Sequence, residues 1–361
     1  MSLFSVLITS PSINSTKNVG GISNLTRLLI ENNKEVNYIH FVAGKQDKEE
    51  RGVRWFLRQF SVLFSFFKKV NKKIDLVHIN MPLEKAGIVR DFCFTWVCRI
   101  KRVPYILHLR GGVYSKNLQT PSLLKMLIKT SLLCAKSIIV LGESEKKYIE
   151  SSYHIDKDKI HVLPNSVFLP EFHSKSSLTN CLNLLYLGRL DKNKGLDEMV
   201  DALYRLPKEV NYLLNIAGEG PYKDRLLVNC EMKLKNKYHY LGVVSGEVKT
   251  NLLINSHIFL LPSYFEGLPN ALLEAMSYGC VPIVTPVGSI PEVVTDEVNG
   301  LIVSVHDSLS ITEKIKYLAT NQDVMKRLSK NAFDTIKKNY DIGIYMQRLN
   351  VIYNNTTNKI E

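Results

Sequence analysis

Short apolar runs rich in β-branched residues alternate with helix-period stretches along this whole chain, and no other feature limits the fold as strongly. Runs that stay apolar at consecutive positions suit strands buried on both faces. Helical stretches between them provide the crossovers that parallel sheets need. In the first half the runs fall at 4–9, 35–42, 75–80, 105–109, 137–141 and 160–163. In the second half they fall at 182–187, 211–217, 238–241, 257–261 and 281–285. The length of 361 residues exceeds one compact core; at ~150 residues per domain it fits two.

The expected architecture is therefore α/β, with two doubly wound, Rossmann-like domains facing a central cleft. The first spans 1–165 and the second 181–340, with 166–180 as a linker marked by the polar run HSKSSLTN. Residues 341–361 read as a C-terminal helix, for which the first domain is the candidate docking surface. Ligands of such folds bind beyond the carboxyl ends of the strands, so polar motifs just after strands are the candidate site residues.

Other classes fall away on composition. Six cysteines are scattered at 93, 98, 134, 181, 230 and 280, without the pairing or spacing of a zinc site, and read as buried apolar residues in a reducing compartment. The most apolar stretch, 123–141, is broken by Lys125, Lys129 and Lys136, short of the ~20 apolar residues of a membrane span. The N-terminus suits a first strand better than a signal peptide, so a cytoplasmic protein is expected. Charge is lopsided: residues 1–172 hold 26 Lys+Arg against 14 Asp+Glu, and residues 173–361 hold 21 against 20. The basic half must face something anionic. No nucleic-acid partner is expected, because aromatics lie in apolar runs rather than among basic residues.

Four polar features follow strands. Gly20-Gly21 ends the loop after the first strand, where a glycine pair lets backbone N–H groups approach an anion, or simply turns the chain. Gly188-Arg189-Leu190-Asp191-Lys192-Asn193-Lys194-Gly195 follows the strand LNLLYL; Arg189 can fork two phosphate oxygens and Lys194 adds a point charge. Glu266 lies in a loop after HIFLLP, and Glu274 lies within a helix that Pro269 opens in its first turn. A mostly helical path of eight residues would separate these carboxylates by ~12 Å. That exceeds the ~5–9.5 Å of a glycosidase acid/base pair, so they suit two ends of one elongated ligand. Glu274 sits within LLEAM on an apolar face and so needs a partner. His108, with Arg110-Gly111-Gly112, ends the strand PYILHL, a position open to either a structural or a catalytic role.

At these residues the sequence resembles the retaining glycosyltransferases of family 4, of GT-B fold. The markers run in order: LGRLDKNKG, IAGEGP at 216–221, YHYLGVV at 238–244, then FEGLPNALLEAMSYGCVPIVTPVGSIPEVV and Asn299-Gly300-Leu301. Glu266 and Glu274 match the family's E-x7-E motif; Gly20-Gly21, His108 and Leu163-Pro164-Asn165 match weaker positions. The resemblance implies a hexose carried by a nucleotide diphosphate, with UDP preferred to GDP, and no other cofactor. Arg189 and Lys194 would hold the diphosphate and Glu274 the ribose. Glu266 and the backbone of Gly267, Leu268, Pro269 and Asn270 would hold the sugar. His108 would contact that sugar from the other domain, and Gly20-Gly21 would close on the diphosphate. Asp156-Lys157-Asp158 matches a metal-binding D-x-D in letters, but Arg189 and Lys194 can neutralise the leaving group, so metal independence is expected.

The expected reaction is retaining transfer to a glycan, lipid-linked, in bacterial-type surface polysaccharide synthesis such as lipopolysaccharide or capsule. The alternatives are a small soluble acceptor, or a non-catalytic nucleotide-sugar-binding protein. An anionic membrane surface is a further candidate partner, at the inner face of the plasma membrane. Between 51 and 73 there are seven basic residues and no acid, and the polar positions 51, 54, 58, 61, 65, 68 and 72 fall on one helical face. Trp55, Phe56, Leu57, Phe60, Leu63, Phe64, Phe66 and Phe67 fill the rest. Such a helix either buries its aromatics on the first sheet or lies on lipid; both hold if the basic stripe faces lipid and the aromatics face the core.

Overall fold

The structure, a computed structural model, describes residues 4–14, 18, 20–44, 53–112, 120–172 and 181–357, excepting the side chains of 53–56. The chain divides into two compact units, one of residues 1–165 with 342–361 and one of residues 166–341.

Unit 1 runs β1 (Phe4–Ser10), α1 (Gly21–Asn32), β2 (Val36–Val42), α2 (Val53–Lys69), β3 (Leu76–Met81) and α3 (Lys85–Lys101). It continues with β4 (Tyr105–Leu109), α4 (Ser122–Cys134), β5 (Ser137–Val140), α5 (Glu143–Tyr153) and β6 (Ile160–Val162). The strands form one parallel sheet in the order β2-β1-β3-β4-β5-β6. Every residue of β3, β4 and β5 is buried, which is why these runs are apolar apart from His78, Asn80, His108 and Ser137. Right-handed crossovers put α2 to α5 on one face, over a core that includes Leu7, Phe66, Val77, Phe94 and Ile128. The opposite face packs on α1 and on the last helix of the chain.

Unit 2 runs β7 (Leu182–Leu187), α6 (Leu196–Tyr204), β8 (Tyr212–Ala217), α7 (Lys223–Lys233), β9 (Tyr238–Gly242), α8 (Gly246–Asn255) and β10 (Ile258–Leu261). After these come α9 (Asn270–Ser277), β11 (Val281–Val284), β12 (Leu301–Ile302), α10 (Ser308–Thr320) and α11 (Gln322–Asn339). This sheet is also parallel, in the order β12-β11-β10-β7-β8-β9. The final helix, α12 (Ile342–Thr357), belongs to unit 1, where Ile342, Tyr345, Leu349, Ile352 and Tyr353 cover Val6, Ile8 and Ile106.

All the expected strands are present with ends within one residue; β12, two residues at a sheet edge, is too short for a sequence period to reveal. Three expectations change. Residues 166–172, expected in the linker, are held to unit 2: Val167 bridges to Asp341 and Phe172 rests 4.7 Å from Phe333. Residues 173–180 lie outside the described residues. Pro269 is the residue before α9, in extended conformation, rather than within its first turn. The aromatics of α2 do not all enter the core. Phe66 is buried and stacks 4.1 Å from Phe94, whereas Leu57, Phe60 and Phe64 are more than 60% exposed. The core-facing stripe is 59, 62, 63, 66 and 70, and the stripe 57, 60, 64 and 67 lies about 100° around the helix from it. The side chains of Trp55 and Phe56, like Arg51 and the side chain of Arg54, lie outside the described part.

Candidate functional site

In each unit the strand order reverses at one place, between β1 and β3 in unit 1 and between β7 and β10 in unit 2. Helices leave such a point to opposite faces and open a crevice at the strands' carboxyl ends. The candidate residues collect at these two points.

In unit 2 the loop after β7 meets the loop after β10. Gly195 has φ 65°, and a Cβ there would lie 2.0 Å from the Pro262 carbonyl oxygen, so only glycine lets the turn Lys192–Lys194 rest on the second loop. The Tyr264 N–H donates to the Asn193 carbonyl at 2.8 Å and fastens the two. The result brings Lys194 to Glu266: Nζ lies 2.6 Å from Oε1, and the Ser263 hydroxyl donates to the same oxygen at 2.8 Å. The side chains are 21% and 9% exposed, so the pair is largely shielded from water. The resemblance assigned these two residues to different parts of one ligand; in the structure they hold each other.

Glu274 also has the partner its burial requires. Lys249 of α8 reaches its Oε2 at 2.7 Å, with the carboxylate side chain 15% exposed. The sequence called for a partner here but did not say which residue, since α8 shows no stripe that singles out position 249. Arg189 stands apart at 68% exposed, its Nε 3.8 Å from Asp191, which makes it a cation available to solvent. Its carbonyl accepts from the buried Tyr186 hydroxyl, whose ionisation burial, then Glu266 and Asp191, push well above the ordinary range. The IAGEGP loop supports this edge. Gly218 lies so close that a Cβ would meet the Gly188 carbonyl oxygen at 1.8 Å, and Leu190 N–H donates to the Glu219 carbonyl at 3.0 Å. The Gly267 carbonyl is fixed by the Ser289 N–H at 2.9 Å, which sets the approach through Leu268 and Pro269 to Asn270, the first residue of α9.

In unit 1 the reversal point carries a polar network. Asn80 donates to the Thr9 carbonyl at 2.7 Å and accepts from Arg110 Nε at 2.7 Å; Arg110 Nη1 also donates to Asn165 at 3.0 Å. Beside it His108 is fully buried. Its Nδ1 lies 3.1 Å from His78 Nε2, and His78 Nδ1 lies 2.6 Å from the Tyr353 hydroxyl of α12. Burial first, then Arg110 and His78, hold His108 well below the usual histidine range, so it is a neutral imidazole. Its Nε2 is buried with no hydrogen-bond partner among the described residues. His78, Tyr353 and Asn80 had no marker in the sequence, because each is an ordinary strand or helix residue until the fold joins them.

Gly20 precedes α1 and donates its N–H to Asn18 Oδ1 at 2.9 Å; Gly21 is the first helical residue, and no acid occupies that turn. The two glycines and His108 thus belong to unit 1, and Arg189, Lys194, Glu266 and Glu274 to unit 2. Asp156 caps a short turn by accepting from the Asp158 N–H at 3.0 Å, which accounts for the D-x-D letters. The cysteines are free, with Cys98, Cys230 and Cys280 buried and the other three half-buried rather than fully enclosed.

Comparison with known proteins gives this arrangement its context. The N,N′-diacetylbacillosaminyl-diphospho-undecaprenol α-1,3-N-acetylgalactosaminyltransferase of Campylobacter jejuni is 26% identical over 321 residues, 82% of each chain. The UDP-Gal:α-D-GlcNAc-diphosphoundecaprenol α-1,3-galactosyltransferase of Escherichia coli is 26% identical over 319 residues, 82% of this chain and 80% of that one. Among solved structures, the sucrose-phosphate synthase of Thermosynechococcus elongatus superposes with a TM-score of 0.78 at 18% identity, covering 97% and 98% of the two chains. The sequence profile of glycosyltransferase family 4 matches residues 22–169, that of the glycosyl transferases group 1 matches residues 169–335, and the chain belongs to this family of GT-B glycosyltransferases.

Proposed function

We propose that the protein is a retaining, metal-independent hexosyltransferase that takes its sugar from a UDP-linked donor and adds it to a lipid-linked glycan in surface polysaccharide synthesis. The observation that carries the reading is the shielded Lys194–Glu266–Ser263 cluster at the reversal point of unit 2. It keeps a cation and a carboxylate together where a diphosphate and its sugar would meet. The two relatives support the acceptor, since both act on diphospho-undecaprenol substrates, and one takes UDP-Gal. Both form α linkages, as retention of an α-linked donor would.

Breaking the sugar–phosphate bond leaves negative charge on the diphosphate and positive character on the sugar. Lys194, turning from Glu266 to the leaving phosphate, and the exposed Arg189 would stabilise that charge as it forms. Glu266, still hydrogen-bonded by Ser263, would face the sugar along with the amides after Gly267 and the head of α9. Glu274, oriented by Lys249, would accept from the ribose hydroxyls. His108 Nε2 would meet a sugar hydroxyl, and Gly20-Gly21 would approach the diphosphate. The acceptor hydroxyl forms the new bond to the sugar carbon, and its proton passes to the departing phosphate oxygen.

The test is a thermal-shift screen of nucleotide sugars followed by transfer to a polyprenyl-diphosphate glycan, with and without chelator. UDP sugars should raise the melting temperature, and transfer should survive chelation and retain anomeric configuration. Lys194→Ala and Arg189→Ala should each slow transfer by about a hundredfold or more in folded protein. Failure of every nucleotide sugar to bind, or transfer that requires added metal, overturns the corresponding part of the reading.

A further inference from the structure

Three neighbouring helices of unit 1 turn apolar side chains to solvent as well as to the core. On α2 the outward stripe is Leu57, Phe60, Phe64 and Phe67, at steps of three, four and three. On α3 it is Val89, Trp96 and Ile100, with the half-buried Phe92 ring 6.2 Å from Trp96. On α4 it is Leu123, Met126 and Leu133. Helix α3 packs against both α2 and α4, and all three cover one face of the sheet, so the stripes lie side by side. Apolar surface gathered in this way marks a partner site.

Charge identifies the partner. By sequence these helices hold ten basic residues and one acid, and that acid, Asp91, is fully buried and accepts from Arg90 Nε and Nη2, each at 2.7 Å. No carboxylate of α2, α3 or α4 therefore faces solvent. The cations sit level with the rings: Lys68 lies 4.4 Å over Phe64, Arg99 4.8 Å over Trp96 and Lys101 3.8 Å over Phe67. A lattice of aromatic and aliphatic tips with ammonium and guanidinium groups at their margin matches the boundary between lipid headgroups and acyl chains. Nucleic acid would gain nothing from Ile100, Leu123 or Met126, and a second copy would bring a like-charged face. No helix among the described residues is long and apolar enough to cross a membrane, so contact would be with one leaflet.

We propose that the α2–α3–α4 face of unit 1 docks on an anionic lipid bilayer, seating its three apolar stripes in the interface while lysine and arginine heads contact phosphates. This deepens the lipid-linked acceptor reading and rests on it for its purpose. Flotation of the full chain with vesicles containing phosphatidylglycerol, or phosphatidylcholine alone, tests the surface without donor or acceptor. Binding should require the anionic lipid and weaken with salt. Arg58, Lys69, Lys125 and Lys129 changed together to Ser should lower it by about fivefold per residue. A second variant, Phe60, Phe64, Ile100 and Met126 to Ser, should also abolish flotation with unchanged circular dichroism, since all four side chains are exposed. No flotation at low salt, equal flotation with neutral vesicles, or a concentration-dependent dimer that the second variant dissolves each overturns the proposal. Transfer in detergent to a short-chain acceptor reads the catalytic site separately: retained there by both variants, it assigns the defect to docking, whereas its absence in the wild type counts against the acceptor reading alone.

Discussion

Removing either member of the Lys194–Glu266 pair should strand the other's charge in unit 2, so the two single losses should not add. Lys194→Met leaves a carboxylate that is 9% exposed with Ser263 as its remaining close donor. The attraction between unit charges ~4 Å apart is ~4 kcal/mol at an effective dielectric of ~20. Breaking a fully buried pair costs ~3–5 kcal/mol. Lys194 is 21% exposed, so water recovers part of this; we expect a loss of ~2–3 kcal/mol. Glu266→Gln keeps an oxygen for Ser263 and Lys194 but strands the ammonium more weakly, at ~1–2 kcal/mol. The double variant should fall short of the summed losses by ~1.5 kcal/mol or more. Urea unfolding can resolve this because both tryptophans, Trp55 and Trp96, lie in unit 1. The far-ultraviolet circular dichroism transition of unit 2 should move while the tryptophan transition stays. Single losses that add within ~0.5 kcal/mol would show that the two groups do not interact in solution.

Two further outcomes follow from the same geometry. Lys249→Ala should weaken free UDP binding roughly as much as Glu274→Ala, by about tenfold, while Glu266→Ala leaves it within a few-fold; equal effects at 266 and 274, read by calorimetry, would refute the division of the ligand between them. Unit 1 should lose stability on acidification: burial holds His78 at about 3 against 6.5 in the unfolded chain, so its contribution is whole above pH 6.5 and is lost as pH falls toward 3. The loss is ~2 kcal/mol between pH 6.5 and 5, and the difference between wild type and His78→Gln in the tryptophan-detected unfolding free energy should shrink by that amount; a pH-independent difference refutes it.

The fold was legible because each strand run is a local property of the sequence. The apolar residues of 76–81 or 105–109 are buried on both faces, and nothing distant alters that requirement. The α2 helix was less legible for the same reason. Its apolar residues exceed what one sheet face can cover, and the sequence does not say which of Phe60, Phe64 and Phe66 goes inside. In the structure the phase is set by Phe41 and Phe94, which receive Phe66 from other elements. The linker failed at its first residues because Val167 and Phe172 have partners 174 and 161 positions later, at Asp341 and Phe333.

The site divides along the same line between local and distant information. In unit 2 the loops carry their own markers: glycines where another backbone passes within 2.0 Å of a would-be Cβ, and charges set immediately after strands. In unit 1 His108 is a lone letter, and its chemical character comes from His78, thirty residues earlier, and Tyr353, from the last helix of the chain. That chain of bonds is directional. If Tyr353 donates to His78 Nδ1, His78 Nε2–H donates to His108 Nδ1 and His108 presents an Nε2–H. If His78 Nδ1–H donates to Tyr353 instead, His108 Nδ1–H donates to His78 and Nε2 presents a lone pair. Because burial keeps both rings neutral, one of these two patterns must hold throughout. The hydrogen-bonding role open to His108 is therefore fixed 245 residues away in the sequence, by a helix that a reading of the motif alone would treat as packing.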